Sequence, residues 1–193
     1  MITGYGLFEG LAAFAVIVIA MVWFVTAYNN LDAAAQRTAQ AWGNVDAMLR
    51  QRHDELPRFL DACRPHVKHD QALFDGILTA RDRVFGARQV RDNAALGHAE
   101  NELRMALGRL IALVEARPEL RADDTFAALH KRLALLESGL NERRAIFNDA
   151  VQQNNGRVGQ FPSNVVALLG GFRAVHPFDV EHGQGRAGVT TGS

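Results

Sequence analysis

The chain of 193 residues carries 21 Lys and Arg residues against 21 Asp and Glu residues, so its formal net charge is zero at pH 7. A neutral chain lacks the basic surface that displaces counterions from phosphates, which excludes general nucleic-acid binding. The length allows one core of ordinary size. The low proline count of 5 and the recurring Ala, Leu and Arg indicate helices. The single cysteine, Cys63, is predicted to be a buried thiol.

The N-terminal region contains an uncharged apolar stretch at residues 10–27, GLAAFAVIVIAMVWFVTA. At about 1.5 Å per residue this stretch would measure about 27 Å as a helix, close to the hydrocarbon thickness of a bilayer. Trp23 and Tyr28 stand where amphipathic rings favour a membrane–water interface. We therefore predict a transmembrane helix at residues 10–27 that contacts the lipid bilayer, preceded by a short non-cytoplasmic tail at residues 1–9.

The basic residues flanking this stretch predict its orientation. Residues 1–9 contain no Lys or Arg, whereas Arg37, Arg50 and Arg52 follow the stretch. The positive-inside rule then leaves the N-terminus outside and the bulk of the chain in the cytoplasm, as a single-pass membrane protein. One alternative stays open, because the sequence Val-Thr-Ala at residues 25–27 resembles a signal-peptide cleavage site. Cleavage there would release an exported soluble bundle.

Behind the apolar stretch, hydrophobic residues alternate at steps of four and three, which is typical of a long helix packed at a shallow angle against others. The stripe comprises Leu31, Ala35, Thr38, Trp42, Val45, Leu49, Leu56, Phe59 and Cys63. Pro57 falls inside the stripe and would free the backbone carbonyl of His53. Since the stripe keeps its register past Pro57, we predict one continuous, kinked helix whose His53 carbonyl is bound by water or a neighbour. We expect Pro57→Ala to leave the fold intact and to straighten the helix.

Three more apolar stripes predict three further helices of the same kind. They cover residues 73–86, residues 96–114, and a run from Asp123 or Asp124 to about Gly156. A polar turn is expected around residues 88–93. The predicted fold is all-α: an N-terminal transmembrane helix followed by a long antiparallel up-and-down four-helix bundle.

The C-terminal part is predicted to be shorter and less regular. Ser163 is expected to cap a short helix at residues 164–169, which Gly170 and Gly171 would stop. Residues 180–193 are rich in glycine and poor in apolar side chains, so we expect a disordered tail there.

The ordered series of residues now assembled resembles the LemA family of bacterial membrane-anchored proteins. The matching segments lie, in order, at residues 28–31, 41–42, 45–46, 49–57, 80–81, 115–123, 126–129, 136–138, 142–151, 161–162 and 171–172. The chain departs from the family pattern in the late helix, where Phe147-Asn148 and Asn154-Asn155 replace Tyr-Asn pairs, and the apolar stretch has no lipidation cysteine. The resemblance implies an anchored helical bundle over residues 28–179, with no settled catalytic activity, cofactor or substrate.

Histidines provide the best candidate metal site. His53, His66 and His69 could ligate zinc, since imidazole is a common ligand of that metal. However, Pro65 directly precedes His66, and neither an HExxH nor a CxxC motif occurs. Exposed polar residues at a helix end are the preferred interpretation, so we predict no metal and no cofactor. Neither a glycine-rich phosphate loop nor a nucleophile elbow is present, and we predict neither an enzyme nor a small-molecule substrate.

Four residues are candidates for binding a partner protein. Arg52 occupies a core-type position, where its guanidinium must find a carboxylate, a carbonyl or water. The rest of its charged block is interpreted as a solvated helix face, supported by the pair Arg50–Asp54. Phe161, Phe172 and Phe178 would either be exposed for a partner or cap the end of the bundle. The leading hypothesis is a non-enzymatic, membrane-tethered bundle that binds an unknown protein or itself.

Overall fold

The structure is a computed structural model that describes residues 3–65, 70–116 and 124–178, with side chains from Glu9 onward. It contains the helices α1 Thr3–Cys63, α2 Gln71–Val90, α3 Asn93–Glu115, α4 Asp124–Gly159 and α5 Ser163–Gly170. No strand occurs within these ranges, so the all-α prediction is confirmed. The candidate ligands His66 and His69, the candidate cap Asp123 and the tail at residues 180–193 lie outside the described residues.

Local chemistry explains the boundaries between these helices. The Asp92 carboxylate caps α3 by accepting hydrogen bonds from the backbone N–H groups of Ala94 at 3.1 Å and Ala95 at 3.0 Å. Arg91 ends α2 in the left-handed conformation, with φ 55°, so the predicted polar turn is shorter than expected. Gly171 stops α5 with φ 72°, as predicted.

The predicted cap at Ser163 is wrong. Pro162 occupies the capping position of α5, and no side chain makes a capping hydrogen bond there. Ser163 is the first helical residue instead.

Pro57 lies inside the continuous helix α1, which confirms the predicted continuity of this helix, whereas the kink stays a prediction. The backbone carbonyl that this proline frees accepts a hydrogen bond from a neighbouring helix. Arg81 Nε, from α2, donates a hydrogen bond to the His53 carbonyl oxygen at 3.2 Å. A charged donor on a second helix thus replaces the missing backbone N–H group.

The chain divides into two compact units, and the helices α1 and α4 contribute residues to both. Unit 2 consists of Gly43–Ala145 and His176–Ser193. In it, residues 43–63 of α1, then α2, α3 and residues 124–145 of α4 pack antiparallel in chain order, which confirms the up-and-down four-helix bundle. The most buried apolar side chains of this core are Val45, Leu49, Leu56, Phe59, Leu60, Cys63, Phe74, Ile77, Leu96, Leu103, Leu110, Val114 and Phe178.

Unit 1 consists of Met1–Trp42 and Ile146–Val175. The rings of Trp42 and Phe147 pack at a centroid distance of 5.4 Å. The Thr38 hydroxyl lies within hydrogen-bond distance of the backbone carbonyls of Ala34 and Ala150. The predicted stripe included Ala35, but this residue is only half-buried. Its neighbour Ala34 is the buried residue instead.

The N-terminal part of α1 is the one described helix that is long and apolar enough to cross a membrane, by length and composition. Its large side chains are exposed: Phe14 to 66%, Ile17 to 64% and Ile19 to 68%. Burial begins at Ala27 and Leu31, where other parts of unit 1 pack against the helix. The change from exposed to buried therefore falls at the predicted end of the transmembrane helix.

Candidate functional site

Arg52 lies at the centre of a buried ion cluster in unit 2. Its side chain is 2% exposed, and its Nη1 donates a hydrogen bond to Glu100 Oε2 at 2.5 Å. Its Nη2 lies 2.8 Å from Glu137 Oε2. The prediction that this guanidinium must find a carboxylate is confirmed. Sequence reasoning missed Glu100, although it stands on the buried face of α3 one helical turn after Leu96.

In this cluster the Arg52 guanidinium faces two carboxylates, and the Arg144 guanidinium also acts on Glu100. Burial raises the pKa of Glu100 above its usual value of 4.5, the neighbouring Glu137 adds to this, and Arg52 only partly opposes it. Glu100 Oε1 is buried and accepts no hydrogen bond from the described residues. Glu100 therefore depends on Arg52, because a buried carboxylate that loses its charged partner is costly.

A groove of about 520 Å³ opens above this cluster. Leu107 and Ile111 of α3 and Leu133 of α4 line it, while Arg52 and Glu137 form its polar base. This volume lies within the range of binding pockets, and an apolar wall with a few polar groups is their usual composition. The groove can therefore receive an apolar side chain that carries a polar end.

His53 belongs to a second polar network of unit 2, between α1 and α2. Its Nε2 lies 2.8 Å from Arg81 Nη2, and its ring stacks on Phe85 at 4.6 Å. Burial lowers the pKa of His53, and the Arg81 guanidinium lowers it further. Because arginine only donates hydrogen bonds, Nε2 acts here as an acceptor. A metal ion at this nitrogen would have to displace Arg81.

The described residues contain no group of three or more His, Cys, Asp or Glu side chains that could hold a metal ion. His53 is the one member of the candidate metal site that lies among them. Burial raises the pKa of the Cys63 thiol to about 12, so this side chain stays protonated and is not a thiolate ligand. No metal site can therefore be assembled from the described side chains.

The charged face around Arg50 pairs differently from the prediction. Arg50 forms its ion pair with Asp46, one turn earlier, and not with Asp54. Arg88 of α2 also contacts Asp46, at 2.7 Å. Burial alone would raise the pKa of Asp46, but the two guanidinium groups outweigh it and lower the pKa below its usual value. This half-buried carboxylate links α1 to α2.

The three candidate phenylalanines occupy different environments. Phe161 is 79% exposed. Phe172 is half-buried and contacts the Tyr28 ring edge-on at 5.4 Å. Phe178 is fully buried in unit 2, with the Arg144 guanidinium 5.8 Å from its ring centroid. Partner binding by these residues stays a prediction, and Phe161 is the one whose ring is available on the surface.

Two adjacent asparagines of α4, which stand where the family pattern has a Tyr-Asn pair, hold the last segment of unit 1. Asn155 Nδ2 donates to the Val175 carbonyl at 2.8 Å, and its Oδ1 accepts from the Val175 N–H at 2.9 Å. Asn154 Nδ2 donates to the Arg173 carbonyl at 3.3 Å. An amide that pairs with both backbone groups of one residue acts like a neighbouring strand, and sequence reasoning gave no sign of this role.

The exposed face of α5 was also missed. Val165 is 50% exposed, Leu168 83% and Leu169 72%. These residues recur at helical spacing, so they share one side of the helix. The signal was present in the sequence, because Val-Val-Ala-Leu-Leu is apolar all around a helix.

The fold and these sites define a class of protein: a helical bundle with interior ion pairs that follows an exposed apolar N-terminal helix in the chain. The LemA family profile matches residues 41–191. The chain belongs to the LemA family, as the resemblance of its residues predicted.

Curated relatives of the chain include magnetosome proteins. The magnetosome protein MamQ of Magnetospirillum gryphiswaldense is 31% identical over 178 residues, which cover 80% of this chain and 63% of that protein. The magnetosome proteins MamQ 1 and MamQ 2 of Paramagnetospirillum magneticum are each 21% identical over 174 residues, which cover 78% of this chain and 64% of those proteins. The chain thus spans less than two thirds of the length of these relatives.

Proposed function

We propose that this protein is a membrane-anchored, non-enzymatic helical bundle that binds another protein, or a second copy of itself, at the cytoplasmic face of the bacterial inner membrane. One observation carries the proposal. Side chains such as Phe14, Ile17 and Ile19 are about two-thirds exposed at the start of a helix whose later turns form a protein core. So large an apolar surface needs a cover, and a bilayer fits its length.

The proposal divides the chain as its sequence suggests. Residues 1–9 form an outer tail, residues 10–27 cross the bilayer, residues 28–179 form the helical domain and residues 180–193 a tail. The cytoplasmic orientation is supported by the absence of Lys and Arg before the span and by Arg37 after it. The relatives' description as magnetosome proteins names a cellular structure and not a reaction, which supports a non-enzymatic role.

The groove above Arg52 is the surface of unit 2 that we propose for the protein partner. Ile111 and Leu107 provide an apolar wall, and Arg52 and Glu137 provide a charged base that would orient a polar end. Interface hot spots commonly combine such pockets with an arginine. The buried ion cluster would serve as the rigid floor of this site.

The anchor is tested by extracting membranes from cells that make the full chain. The protein should stay in the membrane fraction after washing with high salt and with alkaline carbonate, and mass spectrometry should find residues 1–27 retained. Release by either wash would reject the anchor. A mature N-terminus at Tyr28 would replace the proposal by an exported soluble bundle.

The partner site is tested by photocrosslinking in living cells. A photoreactive amino acid at Ile111, in the groove, should give a crosslinked product of defined mass. The same amino acid at Met105, which is 52% exposed on the same helix, serves as the matched control. Equal crosslinking at both positions would reject the groove as the site. Stoichiometric zinc or iron in the purified protein, lost in His53→Gln, would instead favour a metal protein.

A further inference from the structure

The short helix α5 has two apolar sides, and unit 1 covers one of them. Val166 and Ala167 are each 1% exposed and pack against Ala27 and Leu31 of α1. The opposite side carries exposed Val165, Leu168 and Leu169. A helix that is apolar all around is normally buried on all sides. The second side of α5 therefore has no cover among residues 3–65, 70–116 and 124–178, which the structure describes.

The position of α5 along α1 identifies what that cover is. Ser163, the first residue of α5, lines one small cavity together with Trp23, Thr26 and Ala27. These three residues form the last turns of the exposed apolar segment of α1. The helix α5 thus begins beside the end of the proposed span, where Trp23 favours the interfacial layer of a bilayer.

The charges of this part of unit 1 suit an anionic membrane surface. From Ala150 to Val175 the sequence contains Arg157 and Arg173 but neither Asp nor Glu. Arg157 Nη1 donates to the Asn30 carbonyl at 2.7 Å, which places this cation beside the end of the span. Lys and Arg near the cytoplasmic leaflet are attracted by its acidic lipids.

We propose that the outer side of α5, formed by Val165, Leu168 and Leu169 together with Phe161, lies in the interfacial layer of the same bilayer that residues 10–27 cross. This inference rests on the proposed membrane anchor. The span fixes the chain in the membrane, while α5 fixes the orientation of unit 1 on the surface. A helix lying in the interface buries its apolar side among the upper acyl chains and leaves flanking arginines near the headgroups.

The test uses the full chain in vesicles of phosphatidylcholine and phosphatidylglycerol whose acyl chains carry bromine, which quenches nearby fluorophores. Single cysteines are introduced by Leu168→Cys on α5, Ile17→Cys in the span and Ile146→Cys as the control, and each is labelled with an environment-sensitive dye. Ile146 is 49% exposed in the same unit. It adjoins Phe147, which contacts Trp42, roughly 22 Å along α1 from Ala27. Native Cys63 is fully buried and stays unlabelled.

We expect brominated lipid to quench the labels at positions 17 and 168 and to leave the label at position 146 bright. Quenching at position 17 but not at position 168 would overturn this inference and leave the anchor intact, whereas absence of quenching at position 17 would overturn the anchor itself. Energy transfer between labels at position 168 on different copies, without quenching, would overturn it in favour of self-association. As a second variant, Leu168→Glu with Leu169→Glu should abolish quenching of a label at Val165→Cys while circular dichroism shows unchanged helix content.

Discussion

The two units satisfy their interior polar groups with different chemistry. Unit 2 uses charge: Arg52 pairs with buried Glu100, and Arg81 donates to the His53 carbonyl that Pro57 has freed. Unit 1 uses a neutral amide, since Asn155 pairs with the N–H and the carbonyl of Val175. Among the described residues, the buried side-chain atoms left without a hydrogen bond, such as Arg52 Nε and Glu100 Oε1, lie in unit 2.

The difference lies in what happens when one member of a pair is lost. A buried carboxylate without its arginine retains a charge that the interior cannot solvate. An asparagine that is removed leaves two neutral backbone groups, which water can reach because the site is only partly buried. Unit 2 should therefore be sensitive to single substitutions and to pH, and unit 1 should respond locally.

The largest expected effect comes from Arg52→Met. This substitution keeps an aliphatic side chain of similar length but leaves Glu100, which is 4% exposed, without its partner. We expect the free energy of unfolding to fall by about 3–5 kcal/mol. The measurement is chemical denaturation of the full chain in detergent, followed by circular dichroism.

A double substitution provides the control for this result. Arg52→Met combined with Glu100→Leu removes both charges, and replacing a buried ion pair by apolar side chains is often close to neutral. Glu137 is 31% exposed and can be solvated. We therefore expect the double variant to recover most of the lost stability. A double variant as unstable as Arg52→Met would show that the charge left on Glu100 is not the cause.

In unit 1, Asn155→Ala should have a smaller and more local effect. It removes both hydrogen bonds to Val175, at an expected cost of about 1–3 kcal/mol. Hydrogen exchange should become faster at residues 172–178, with little change in the protection of α2 and α3. Asn154→Ala, which loses one longer bond of 3.3 Å, is the matched control and should change exchange less. Uniformly faster exchange would contradict the local character of this network.

The sequence predicted the helices of both units but not the partners of their polar side chains. The spacing of three and four residues between apolar side chains predicted the buried face of α1 even past Pro57, because each helical turn constrains the next. It also showed that Arg52 faces the core. It could not supply Glu100 or Arg81 as partners, since each stands on another helix and the pairing depends on how the helices pack.

The C-terminal residues were harder to predict for the same reason. Phe178 has no periodic neighbours in the sequence, and its full burial depends on the side chains that unit 2 places around it. The helix α5 has 8 residues, and its stretch Val-Val-Ala-Leu-Leu is apolar on every side of the helix. Periodicity cannot tell which side of such a helix is buried, so the exposed Leu168 became visible only in the packed structure.

The third prediction concerns pH and tests the charged network of unit 2 again. The pKa of His53 is below its usual 6.5 in the folded chain, because burial and then Arg81 disfavour its protonated form. The unfolded chain therefore binds more protons, so stability is fully present above pH 6.5 and is lost as the pH falls through the lower, folded pKa. Between pH 7.5 and 5.5 the unfolding midpoint should decrease less in His53→Gln than in the parent.

The pKa of the buried glutamate is shifted as well, so its titration has to be separated from that of His53. Glu100 acts in the opposite direction: its raised pKa gives a contribution that is present below 4.5 and is lost as the pH rises through the folded pKa. Comparing the pH dependence of the unfolding midpoint in His53→Gln with that in the parent isolates the effect of the histidine. An equal pH dependence in the two chains would refute the assignment of this effect to His53.

The smallest expected effect tests whether the charged donor of unit 2 replaces a backbone hydrogen bond. In Pro57→Ala the new N–H of residue 57 can donate to the His53 carbonyl, so the fold should stay intact and α1 should straighten. Arg81→Met should then cost less stability in the Pro57→Ala background than in the parent, by about 1 kcal/mol, the usual net value of one hydrogen bond. Denaturation of the four chains of this cycle measures the difference. Independent effects of the two substitutions would mean that the contact of 3.2 Å between Arg81 and this carbonyl contributes nothing to stability.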